Sequence, residues 1–156
     1  MSEEQSFDLS LEQVDDFEFR VRFDGTAIPD LATDEPPPQG RNAGPNPSRL
    51  LLASVANCLA ASLLFALRKF RNTPGPIKAR ARGRMARNAG GRWRIAGMHV
   101  DVQLADAAAG LQHFERALAQ FEDFCIVTES VRAGIPVEVR VHDGQGNEVH
   151  ATAGAP

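Results

Sequence analysis

The chain has 156 residues, 43% of them hydrophobic and 24% charged, with a formal net charge of −3. These are the values of one ordinary globular domain, residues 1–156, long enough to bury a hydrophobic core. So small a net charge gives no electrostatic reason to expect nucleic acid or a membrane as partner.

Met1 is followed by the polar, acidic run Ser2-Glu3-Glu4-Gln5 and not by a basic, then apolar, stretch. No secretory signal is visible there, and a reducing, cytoplasmic setting is expected. In such a setting two cysteines, Cys58 and Cys125, are too few for a disulfide scaffold and form no CxxC pair. Catalytic, redox-sensing and merely buried thiols all stay open.

In chain order, Phe7-Asp8-Leu9-Ser10-Leu11 alternates apolar with polar residues, and Phe17, Phe19, Val21 and Phe23 alternate with Glu18, Arg20 and Arg22. This is the period of half-buried strands, expected as a hairpin turning through Val14-Asp15-Asp16. Residues 34–47 read DEPPPQGRNAGPNP. That density of Pro and Gly forbids helix interior and central strand, so a loop is expected.

A long helix follows Pro47, capped by Asn46 or Ser48 and running to about Arg71 before Asn72-Thr73-Pro74-Gly75-Pro76 ends it. No charge occurs between Leu50 and Leu67, but Ser54, Asn57, Cys58, Ser62 and several alanines dilute the run. A central core helix is expected in preference to a membrane span.

Next, Ile77, Ala79, Ala81 and Met85 alternate with Lys78, Arg80, Arg82 and Arg84. The turn Asn88-Ala89-Gly90-Gly91 leads on to Trp93, Ile95, Met98, Val100, Val102 and Leu104, predicting a second hairpin with Trp93 in the core. A second helix is expected from about Asp106 through Leu111, Phe114, Leu118 and Phe121, then a short one over 126–132 and a last strand at Val137, Val139 and Val141. The tail 151–156 is expected to fray. Strands, helix, strands, helices and strand make an α+β order.

Cys58 falls mid-helix on the least apolar stripe, with Ser54 and Ser62 a turn away on either side. There the helix dipole does little for a thiolate, so a reactive Cys58 needs a cation brought from elsewhere. Cys125 sits at a break between helices, where the N–H groups of the segment starting at Ile126 are available to it. Each cysteine taken alone could equally be a buried, inert residue. The four histidines, His99, His113, His142 and His150, show no ligand spacing, so no metal is expected. The basic run Lys78, Arg80, Arg82 and Arg84 reads as a solvated strand face, and Glu129 and Arg132 read as surface residues of a short helix.

Two segments carry a resemblance. GPNPSRLLLASVANCLAASL, residues 44–63, sets Cys58 twelve residues after Asn46 of an Asn-Pro pair. FCIVTESVRAGIPVEVRV, residues 124–141, opens on Cys125 in a Cys-x-Val-x-x-Ser-x-x-x-Gly-Ile pattern. Together, in this order, they resemble the OsmC/Ohr family of osmotically inducible and organic hydroperoxide resistance proteins. The similarity extends over most of the chain to Val141.

That resemblance implies an OsmC-like two-layer α+β fold, with two chains intertwined as a homodimer around their long helices. It also implies a thiol peroxidase of oxidative-stress defence. Cys58 would attack the O–O bond of a peroxide and become a sulfenic acid, and Cys125 would resolve it to a disulfide. An external thiol or dithiol reductant would reopen that disulfide, with no bound cofactor. The family pairs an arginine with a glutamate directly after the Asn-Pro pair, and this chain has Ser48 there, followed by Arg49. Arg41 is the candidate for the activating cation, because a guanidinium both stabilises a thiolate and grips a peroxide oxygen, with Glu35 a candidate replacement carboxylate. The alternative is a redox-sensing or small-ligand-binding protein that kept the fold without efficient turnover.

Overall fold

The computed structural model describes residues 3–153. The chain divides into two compact units, Met1–Leu50 and Leu51–Pro156.

In the first unit β1 (Ser10–Asp15), β2 (Glu18–Arg22) and β3 (Leu31–Thr33) form an antiparallel sheet in that order. The hairpin is displaced from the expected one. Leu11 pairs with Val21 and Gln13 with Phe19, so β1 runs on through Val14 and Asp15, two of the three residues expected to turn. Of the expected three only Asp16 turns; its φ of 51° is a left-handed conformation that Asp tolerates, and its carbonyl accepts from Gln13 Nε2 at 2.8 Å.

The Pro-rich segment after β3 is an ordered loop organised by one carboxylate. Asp34 accepts the backbone N–H groups of Glu35 and Arg41, each at 2.8 Å, and of Ala43 at 3.0 Å. The loop closes so tightly that a Cβ on Gly40 would stand 2.1 Å from the Glu35 carbonyl oxygen, and one on Gly44 2.0 Å from that of Ala32. Only glycine fits at either position.

Helix α1 (Pro47–Lys69) starts where the sequence places it. Pro47 takes the first helical position, and Asn46 Oδ1 caps the Arg49 N–H at 3.0 Å. At its other end Arg71 turns left-handed (φ 62°), and the buried Asn72 donates from Nδ2 to the carbonyls of Leu67 and Gln112. By length and composition α1 could cross a membrane, but 33% of its most apolar window is already buried against its own chain.

In the second unit β4 (Lys78–Arg87), β5 (Trp93–Gln103), β6 (Val137–His142) and β7 (Glu148–Thr152) form a sheet in that order, with β5 and β6 parallel. A parallel pair needs a crossover, and helices α2 (Phe114–Gln120) and α3 (Ile126–Arg132) lie along it. Met98, Val100 and Val102 of β5 and Val137, Val139 and Val141 of β6 point to one face. They pack with Val55, Leu59, Leu63 and Leu67 of α1 and with Phe114, Leu118 and Phe121 in a single core.

Three expectations for this unit are corrected. The second helix is far shorter than the apolar spacing suggests: residues 108–110 form only a 3-10 turn ending in Gly110, and His113 at φ 49° restarts the chain before α2. Ala151 and Thr152, expected to fray, pair with Arg140 and Val139 in β7, while 154–156 lie outside the described residues. Trp93 is 53% exposed and not core, because it stands at the hairpin end of β5 and stacks on the Arg87 guanidinium, 4.4 Å from the ring centre.

Candidate functional site

Cys58 faces neither fully inward nor outward on α1. Val55, Leu59 and Leu63 are buried, Asn57 and Ala61 are exposed, and Cys58 is half-buried between those faces. The stripe it shares with Ser54 and Ser62 runs from solvent into the core, since Ser54 is exposed and Ser62 is buried.

Cys125 occupies the junction between the 3-10 turn Glu122–Phe124 and α3. Its N–H donates to the Glu122 carbonyl at 2.9 Å, its own carbonyl accepts from Glu129 at 3.0 Å, and its side chain is fully buried. The two cysteines, 67 positions apart in sequence, are neighbours here: both thiols are free, and Cys58 lies close enough to act on the acidity of Cys125.

The Cys125 S–H also donates to the Thr128 hydroxyl at 2.9 Å, and Thr128 is itself fully buried. Burial pushes the Cys125 thiol above its ordinary value and the adjoining Cys58 pushes it further, with Thr128 pulling against both. Cys125 is thus a thiol kept protonated out of water, beside a more accessible cysteine.

Around Cys125 the structure gathers groups that sequence reasoning placed on the surface or passed over. Glu122 is buried, and its carboxylate bonds to the Arg132 guanidinium, to His150 Nε2 at 2.6 Å and to the Thr152 hydroxyl at 3.3 Å. Burial works to raise the Glu122 pKa, but His150 and Arg132 outweigh it and hold the carboxyl below its ordinary value. Arg132 also binds Glu129, so this pair belongs to a part-buried cluster and not to a solvated helix face. On the solvent side Phe124 packs edge-on to Phe65 at 5.6 Å, Lys69 Nζ stands 5.1 Å from the Phe124 ring centre, and Ile126 is 80% exposed.

Arg41 lies in the first unit, where its guanidinium bridges Asp15 at 2.8 Å and Glu18 at 3.0 Å across the β1–β2 turn. These carboxylates, and not Glu35, hold it; Glu35 accepts from Asn46 Nδ2 at 3.2 Å instead. The missed signal was an acidic residue on each side of a tight turn.

Of the remaining candidates, His99 sits between Asp101 (3.0 Å) and Glu138 (3.2 Å) on the outer face of the sheet. Lys78, Arg80, Arg82 and Arg84 are all exposed on β4.

The model of the family described as OsmC-like protein matches residues 40–140. No curated protein matches the chain. Among solved structures, the chain is similar to an OsmC-like protein of unknown function from Vibrio cholerae (14% identity, TM-score 0.73, covering 88% of this chain and 99% of that one). It is also similar to an organic hydroperoxide resistance protein from Elizabethkingia anophelis (14%, 0.70, 92% and 99%) and to one from Bacillus subtilis (15%, 0.63, 88% and 98%). At these identities the structural likeness speaks for the fold.

Proposed function

Because the chain belongs to the OsmC-like protein family, we propose that it is a thiol-dependent peroxidase of oxidative-stress defence, reducing organic hydroperoxides or hydrogen peroxide through Cys58 and Cys125. The observation that carries this reading is that the two free thiols are neighbours in the fold. Two cysteines so far apart in sequence come together only through the fold, and a disulfide requires that approach.

The half-buried Cys58 thiolate attacks the terminal oxygen of the peroxide. The O–O bond breaks, the departing oxygen takes a proton from solvent and leaves as the alcohol, or as water from hydrogen peroxide, and Cys58 becomes a sulfenic acid. The Cys125 sulfur then displaces water from that sulfenic acid, forming the disulfide. Cys125, buried and held protonated, is poorly suited to meet peroxide itself and well suited to wait for this second step. A thiol or dithiol reductant supplies two electrons to restore both thiols. Arg41 is the proposed activating cation, with Asp15 and Glu18 in the orienting role that the family gives to the glutamate at the position of Ser48.

The proposed assembly is a homodimer. Its support is the exposed side of α1, where Ala53, Asn57, Ala61 and Phe65 carry no charge. A second reading, redox sensing or ligand binding without fast turnover, is favoured by Ser48 standing at the glutamate position.

Stopped-flow thiol loss on mixing reduced protein with cumene hydroperoxide or hydrogen peroxide tests the proposal in wild type, Cys58→Ser and Cys125→Ser. Fast loss abolished by Cys58→Ser, with overoxidised Cys58 accumulating in Cys125→Ser, is the expected result. Rates no faster than free cysteine would overturn peroxidase activity and favour the second reading.

A further inference from the structure

We propose that Glu122 is a positioning residue for the Cys58–Cys125 disulfide, its buried carboxylate tying both flanks of Cys125 to strand β7. The inference rests on the disulfide chemistry proposed above and assigns a role to groups that touch neither peroxide nor the reacting sulfurs.

Glu122 precedes Cys125 by three residues, and its backbone carbonyl accepts the Cys125 N–H at 2.9 Å. Arg132, which binds the Glu122 carboxylate, ends α3 on the other side of Cys125. His150 and Thr152, also bound to it, belong to β7, which is laddered to β6 and through it to the core strand β5. The short turn and short helix bracketing Cys125 are too brief to hold their own geometry, and this carboxylate anchors them to the sheet.

Burying a carboxylate is costly unless it is fully paired, and Glu122 is paired three times over. An apolar residue would fill the position more simply if packing were the sole requirement. A paired charge instead fixes direction as well as contact, which is what a thiol needs in order to meet its partner sulfur in line.

The test is disulfide equilibrium in glutathione buffers of graded redox ratio, read by thiol trapping and mass spectrometry, which needs no peroxide activity. The closure constant of Cys58–Cys125 is expected to fall by about tenfold or more in Glu122→Gln and in His150→Ala. His150→Gln, which keeps a donor towards Glu122, is expected to restore most of it. Each variant is measured well below its melting temperature, where a residue that only adds stability would leave the closure constant unchanged. Should Glu122→Gln fail to fold, the His150→Ala and His150→Gln pair decides. A wild-type closure constant in folded His150→Ala and Glu122→Gln overturns the positioning role alone. Failure of wild type to close a disulfide at any glutathione ratio overturns the two-cysteine reading and this inference with it.

Discussion

The Thr128 hydroxyl stands 2.9 Å from the Cys125 sulfur, and neither side chain is exposed to solvent. It is the polar group that offsets burial and Cys58 in setting the acidity of this thiol. Thr128→Val keeps the shape and removes the oxygen. The pH midpoint for alkylation of Cys125, measured in a Cys58→Ser background, is expected to rise, and stability to fall by about 1 kcal/mol. An unchanged midpoint would mean that the hydroxyl is only packed there.

Arg41 is gripped by Asp15 and Glu18 on either side of one turn. If it activates Cys58, Arg41→Ala slows peroxide-driven thiol loss by about tenfold or more, and the double variant Asp15→Asn/Glu18→Gln slows it in the same direction by freeing the guanidinium. Ser48→Glu, which restores the family's carboxylate, is expected to raise the rate. Stopped-flow traces of the three proteins decide it, and wild-type rates throughout would remove Arg41 from the chemistry.

Acid should unfold this protein through a small set of carboxylates. Asp34 is held below its ordinary value of 3.8 by the Ala43 and Arg41 amides. Glu122 is held below 4.5 and Asp143 below 3.8, in each case by hydrogen bonds that outweigh burial, from His150 and Arg132 for Glu122 and from the Ala108 and Asn147 amides for Asp143. A depressed folded-state pKa contributes stability that is complete above the unfolded value and lost as pH falls through the folded one. Denaturant melts should therefore weaken as pH drops below 4.5, and Glu122→Gln should flatten part of that limb. A stability flat to pH 3 would contradict all three assignments.

The parts legible in sequence are those written in local periodicity. Val137, Val139 and Val141 and the start of α1 at Pro47 were readable because alternation and capping are properties of neighbours. The nearness of Cys58 to Cys125 follows neither from spacing nor from composition, and only family resemblance pointed to it. Strand β3, at three residues, is too short to show a period, and β7 was hidden in a polar tail. It is ordered because Asp143 accepts the Gln145 and Asn147 amides and turns the chain back along β6. Glu122 looked like any acidic residue, because its burial depends on His150 and Thr152 arriving from a strand the sequence did not announce.

The two sides of α1 predict opposite outcomes. Leu59 is fully buried among the strands, so Leu59→Ala removes core volume that the sheet cannot refill, costing about 2–5 kcal/mol. For a chain of this size that lowers the melting temperature by roughly 5–20 °C. Ala61, two residues on, is exposed and one of the uncharged positions through which the proposed homodimer would pack. Ala61→Glu adds a charge at no cost to the internal core, and should leave the α+β fold intact by circular dichroism while changing the mass in sedimentation equilibrium from two chains to one. A two-chain mass in Ala61→Glu would move the dimer contact off this side of α1, and a one-chain mass already in wild type would remove the homodimer altogether.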